Sequence, residues 1–181
     1  MSEDIKKKKE KNSLFEIVKT ILLAIVLAVL IKNFIFNTTM VMGESMEPTL
    51  HQNDRLICLV LPMYFSNPKQ NDIVIIDAPD GSGQEYVKRV IGVPGDEIEI
   101  KEGTVFVNGI IKEENYIHPG LETIPQSEIK WTLEEDEFFV LGDNRNLGKS
   151  IDSRYFGPVE KKHINSIAWL RYMPFNKIVK F

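Results

Sequence analysis

The chain has 181 residues, 43% hydrophobic and 27% charged, which excludes a disordered or collagen-like chain and leaves room for one ordinary domain with an anchor or tail. Seven of the 22 Lys and Arg and four of the 26 Asp and Glu lie at or before residue 36, so the remainder carries a net charge of −7. That is the wrong sign for a nucleic-acid-binding surface, and the single cysteine, Cys58, excludes an intramolecular disulfide.

The first predicted element is Leu14 to Phe36, a mostly apolar run whose centre, TILLAIVLAVLI (Thr20 to Ile31), has no charge. As a helix it measures about 34 Å, enough for a hydrocarbon core of about 30 Å. Lys19 and Lys32 stand near its ends, where their side chains can snorkel to the headgroups. Lys6, Lys7, Lys8, Lys9 and Lys11 precede it, which keeps the N-terminus in the cytoplasm and delivers the rest outside. A buried core helix fits poorly, because both faces are apolar over three turns. A cleavable leader shares the charged start and apolar run, but KNFIFNTTMVMG offers no A-x-A-like site nearby. The expected organisation is a cytoplasmic basic tail (1–13), a transmembrane anchor (14–36) and an extracytoplasmic domain (37–181).

Beyond the anchor the pattern is mostly β. Residues 54–61, 72–77, 85–93, 96–100, 103–109 and 137–142 are short runs rich in Val, Ile and Phe, bounded by turn residues. DEIEI and TVFVNGII predict an antiparallel hairpin, and Asn108-Gly109 and Pro94-Gly95 mark turns. Residues 110–137 are polar and predict an inserted cap or excursion. Residues 167–181 are strand-like until Pro174. Cys58, within RLICLVL, reads as a small core residue.

The stretch GESMEPTL (43–50) raises the question of chemistry, because Ser45 comes two residues after a glycine and three before a proline. A serine nucleophile needs a base. His51, His118 and His163 stand in no triad-like pattern, the G-x-S-x-G elbow is absent, and no H-E-x-x-H pair suggests zinc. A lysine can substitute if burial lowers its pKa from about 10.4 by roughly two to three units. Most lysines sit in wet contexts such as KKKK or EKKH. Lys88, in Tyr86-Val87-Lys88-Arg89-Val90-Ile91, has apolar neighbours on both faces, although the same pattern also fits an ordinary solvated charge. Arg89 cannot serve, since its pKa lies above about 12.

SMEPTL (45–50), NDRLICLVL (53–61), YVKRVIGVPGDEIEI (86–100) and GDNRNLGKSIDSRYFGPV (142–159) together resemble type I signal peptidases, in the short single-anchor form of Gram-positive bacteria. The resemblance covers nearly everything except 110–137. It implies an antiparallel β catalytic core with a small inserted cap. It also implies Ser45 as nucleophile, Lys88 as general base, and Ser150 as the hydroxyl that orients the lysine. Asp152 and Arg154 would be an ion pair behind the site, Gly142 to Arg145 the turn leading into it, and Met46 and Pro48 would shape the nucleophile loop. Two departures stand out. Asn146-Leu147-Gly148-Lys149 is apparently two residues longer than in many relatives. Gly43 stands where some relatives have an oxyanion-donating serine, which leaves the backbone N–H of Ser45 for that task. The implied activity is removal of signal peptides from secretory preproteins after small residues at A-x-A-type sites, at the cell membrane, without metal or organic cofactor. Rival readings are an anchored β-domain without chemistry, a self-cleaving regulator and a cysteine transpeptidase. Intact Ser45 and Lys88 oppose the first, the anchor and acidic domain the second, and the apolar setting of Cys58 the third.

Overall fold

The computed structural model describes residues 2–79, 81–126 and 128–181, and in the first helix the side chains from Phe15 onward, Asn33 excepted. The side chains of the basic tail therefore lie outside the described residues. Helix α1 runs Ser2–Phe34. Among the described residues no helix is long and apolar enough to cross a membrane. Glu16, Lys19 and Lys32 bound the charge-free part, Thr20 to Ile31, and those twelve residues measure about 18 Å. The transmembrane anchor expected over 14–36 is thus not supported by the helix as described. It also ends sooner than expected, because Phe36 already belongs to a strand.

The rest is predominantly antiparallel β. In chain order the strands are β1 (Phe36–Met40), β2 (Arg55–Leu59), β3 (Ile73–Asp77), β4 (Glu85–Gly92), β5 (Glu97–Lys101) and β6 (Thr104–Val107). They continue with β7 (Ile110–Ile111), β8 (Lys130–Thr132), β9 (Glu137–Leu141), β10 (Val159–Glu160), β11 (Ile164–Met173) and β12 (Val179–Lys180). Two short helices, α2 (Pro62–Phe65) and α3 (Ser153–Phe156), lie between strands. The larger sheet has the order β1-β2-β11-β3-β4-β9-β10, with β12 paired to β11, and the smaller has the order β7-β6-β5-β8.

The six runs read as strands from composition all contain strands, because β-branched and aromatic side chains suit a pleated, half-buried surface. The smaller sheet differs from expectation in extent. Its centre is the β5–β6 hairpin, and the 110–137 excursion supplies only its edges. These edge strands are two and three residues long, too short for an alternation to show in sequence. The long β11, central to the larger sheet, was legible only from Ile167 onward, since KKHINS ahead of it is polar.

Three apolar clusters fill the interior. One, with Val41, Met46, Leu50 and Leu56, lies beneath the loop joining β1 to β2. A second, with Ile91, Ile98, Trp131 and Phe139, joins the two sheets. A third, with Val74, Val90, Phe138 and Ile164, packs on the larger sheet. Gly92 lets the sheets meet, since a Cβ there would come within 2.5 Å of the Ile98 side chain and 2.8 Å of Leu133.

Candidate active site

Ser45 is carried by the loop between β1 and β2. Apolar pegs set the loop, because Met46 and Leu50 on its inner side are buried in the first core cluster. Its outer side is held by Asn144, whose backbone N–H donates to the Ser45 carbonyl at 3.0 Å. The Asn144 side chain donates to the Glu44 carbonyl, also at 3.0 Å. Gly43 has φ +84°, a bend that glycine adopts without steric cost, and its open side faces no protein atom within 4 Å. Arg171 of β11 fixes the far end of the loop, donating to the Thr49 carbonyl at 2.9 Å and to Asp54 at 3.0 Å.

Lys88 is on β4, paired across to Val74 of β3. Only 2% of it is exposed. Its Nζ is 3.1 Å from Ser45 Oγ and 5.2 Å from the centre of the Tyr86 ring. Burial pushes its pKa down to about 8; the carboxylates of Asp152 and Asp143 oppose that fall and the Arg154 guanidinium adds to it. An ammonium in such a place loses hydration that the surrounding protein does not replace, so the neutral amine becomes accessible near neutral pH. A cavity of about 220 Å³ opens beside the two side chains.

Asp152 is fully buried and caps α3. It accepts from Arg154 Nε and Nη2, each at 2.8 Å, and from the Gly142 N–H at 3.0 Å. Burial alone would raise the pKa of its carboxyl, but the Arg154 fork and the Gly142 N–H outweigh this and hold it below the ordinary range. Ser150 is 2% exposed, and its hydroxyl lies close enough to the Asp152 carboxylate to help hold that carboxyl low, although it makes no full hydrogen bond among the described residues. The orienting bond to Lys88 that the resemblance implies is therefore not drawn in this structure. Ser150 nevertheless lies in the site wall, against Gly142. A Cβ on residue 142 would come within 2.3 Å of Ser150 Oγ and 2.5 Å of the Ser45 carbonyl oxygen, so only glycine fits there. Ser150 stays buried although the 146–149 stretch ahead of it is at the surface, with Leu147 67% exposed.

Contacts that sequence reasoning missed tie this wall together. Arg89, dismissed as a base, donates to Asp143 through Nε (2.8 Å) and Nη2 (2.6 Å), and its guanidinium carbon sits 4.1 Å from the Tyr116 ring centre. Thr49 Oγ1 donates to the same carboxylate. Arg145 is buried, donates to the Gly142 carbonyl at 2.9 Å, and pairs with Glu114 of the smaller sheet's excursion. The available signal was the burial pattern. A strand with apolar residues on both faces must bury its arginine as well as its lysine, and a buried guanidinium needs a carboxylate.

None of the three histidines lines the cavity beside Ser45. Among the described residues no group of three or more His, Cys, Asp or Glu is placed to hold a metal. Cys58 is fully buried and its thiol is pushed up to about 11 by that burial, which disfavours a thiolate nucleophile.

Residues 14–173 match the family described as signal peptidase, peptidase S26. The chain is 40% identical to a signal peptidase I of Bacillus licheniformis, over 188 aligned positions that cover 99% of each chain. It is 36% identical to signal peptidase I S of Bacillus subtilis strain 168, covering 99% of this chain and 98% of the other. The crystal structure of a signal peptidase I from Enterococcus faecalis V583 is similar at 30% identity and a TM-score of 0.47, covering 56% of this chain and 97% of that one. Family model and near-full-length relatives agree, and the chain belongs to the signal peptidase I family, peptidase S26.

Proposed function

We propose that this chain is a membrane-anchored serine endopeptidase that removes signal peptides from secretory preproteins after small residues, with Ser45 and Lys88 as its catalytic pair. The observation that carries this reading is the 3.1 Å approach of Lys88 Nζ to Ser45 Oγ by a lysine that is almost wholly buried. In the neutral state the direction of that hydrogen bond reverses, and Oγ–H donates to Nζ. Lys88 takes the proton as Oγ attacks the scissile carbonyl. The resulting ammonium returns it to the leaving amine, and the neutral amine then activates a water to release the acyl group. The Ser45 N–H is the proposed donor to the oxyanion. Asp152 and Arg154 buttress the wall, and Ser150 with Gly142 and Met46 keeps that wall closely packed.

The test is incubation of the detergent-solubilised chain with a preprotein bearing an A-x-A site, where a single cut after the site is expected and no cut defeats the proposal. The pH dependence adds a second reading. With a lysine pKa of about 8, the protonated and inactive form dominates below that value. Log kcat/KM should rise with unit slope from pH 6 and level off above about 8. A flat profile from pH 6 to 9 would exclude a lysine base with that pKa.

The anchor is proposed over 14–34, with Lys19 and Lys32 reaching the two headgroup layers and the lysine-rich tail of 1–13 in the cytoplasm. The catalytic domain, 37–181, then lies outside, and within it 110–137 forms the edges of the smaller sheet. Helix α2 supports this placement. Tyr64 is 61% and Phe65 82% exposed, and the Tyr64 ring lies 6.5 Å from that of Phe34 at the end of α1. The carbonyl of Ile35 accepts the N–H of Val60 at 3.0 Å, which ties the chain before α2 to the end of α1. Aromatic side chains so placed would enter the outer headgroup layer. After removal of residues 1–34, the remaining domain should float with lipid vesicles, and the Tyr64→Ser, Phe65→Ser variant should not. Equal behaviour of the two would leave membrane placement to α1 alone.

A further inference from the structure

We infer that the Glu44–Lys149 ion pair is a latch across the rim of the substrate cleft, and that it sets how large a side chain the cleft admits before the scissile bond. The inference rests on the peptidase reading above. Lys149 Nζ lies 2.7 Å from Glu44 Oε2, and both side chains are about half exposed. Glu44 immediately precedes the nucleophile, and Gly148 and Lys149 line the same cavity as Ser45 and Lys88. The pair therefore joins the two sides of one opening.

Little else positions the 146–149 loop. At its base, Asn146 donates to Asn144 Oδ1 from its backbone N (3.3 Å) and from Nδ2 (3.0 Å). At its end, the Lys149 N–H closes a turn on the Asn146 carbonyl at 3.2 Å. Between these, Leu147 is 67% exposed, and Gly148 bends at φ +74° with no atom within 4 Å of where a Cβ would stand. Packing does not hold the middle of the loop, so the ion pair decides whether it lies close to the nucleophile loop or swings away. The cavity is small, about 220 Å³, and one wall of it is this loop. A closed latch keeps that wall near Ser45 and favours small side chains. An open one enlarges the space for branched ones, where differential fit decides specificity. Asn144 holds the carbonyls of both Glu44 and Ser45, so opening the latch leaves the nucleophile in place.

The experiment compares kcat/KM for two preproteins that differ only in Ala or Leu before the scissile bond, using the full chain in detergent. Glu44→Gln and Lys149→Gln should each lower the Ala-to-Leu preference by about two- to five-fold, the size an exposed ion pair can supply. The charge swap, Glu44→Lys with Lys149→Glu, should restore the preference. About 1 M salt, where the Debye length is about 3 Å, should lower the preference of the parent and leave the single variants unchanged. Single variants that keep the parental preference overturn the latch, as do variants that lose activity on both substrates equally or a swap that restores nothing. A parent that cuts neither preprotein overturns the peptidase reading instead.

Discussion

Ser45→Ala and Lys88→Ala should each lower kcat/KM for preprotein cleavage by at least about a thousandfold, and the double variant should be no worse than either alone. Nucleophile and base act as one unit, so their losses do not add. The geometry behind this is the 3.1 Å contact between Nζ and Oγ, with no histidine lining the cavity to take over the proton. Lys88→Arg separates charge from basicity. It keeps a cation near the hydroxyl but cannot lose its proton at any working pH, so it should be as inactive as the alanine variant. The measurement is cleavage of a preprotein by variants whose far-ultraviolet circular dichroism matches the parent. A Lys88→Ala variant that retained a tenth of parental activity would end the Ser/Lys proposal.

The parts of this site legible in the sequence were those with an unusual local setting. Lys88 stood out as a lysine in a strand with apolar residues on both faces, a pattern that also fits a solvated charge, and it is buried in the structure. Ser45 stood out through Gly43 two residues before it and Pro48 three after, and its loop is pinned by Met46 and Leu50. Partners across the fold were illegible. Arg89 and Asp143 are 54 residues apart and Arg145 and Glu114 are 31 apart, and nothing local marks either pair. The strands of the larger sheet were readable where they are buried on both faces, as in IVIID and EFFVL, and unreadable where the chain opens with polar residues, as at the start of β11. The end of the anchor was also misread. Phe36 looks like one more apolar residue of the helix, yet it pairs with Leu59 in the edge strand β1, an arrangement that depends on β2 being present.

Lys88→Met should make the protein more stable at pH 7 while abolishing its activity, because burial of this amine is a standing cost. An unfolded lysine has a pKa of about 10.4, and the folded value is about 8. A folded-state pKa below the unfolded one means that protonation favours unfolding. Below pH 8 both states hold the proton, and the folded state carries the full penalty of a desolvated ammonium. Between about 8 and 10.4 the unfolded chain still binds the proton and the folded one does not, so stability climbs with pH. Above that window the amine is neutral in both states and the penalty is gone. The shift of roughly 2.5 units corresponds to about 3 kcal/mol at pH 7. Methionine has nearly the length of lysine and no charge to desolvate, so it recovers most of that amount, less whatever the contact with Ser45 contributes. Urea unfolding of parent and variant at pH 7 and at pH 10.5 is the decisive measurement. The variant should be more stable by about 2–3 kcal/mol at pH 7, and the difference should largely vanish at pH 10.5. A variant less stable than the parent at pH 7, or a difference independent of pH, would mean that Lys88 is charged and satisfied in the folded protein, and a satisfied ammonium cannot take a proton from Ser45.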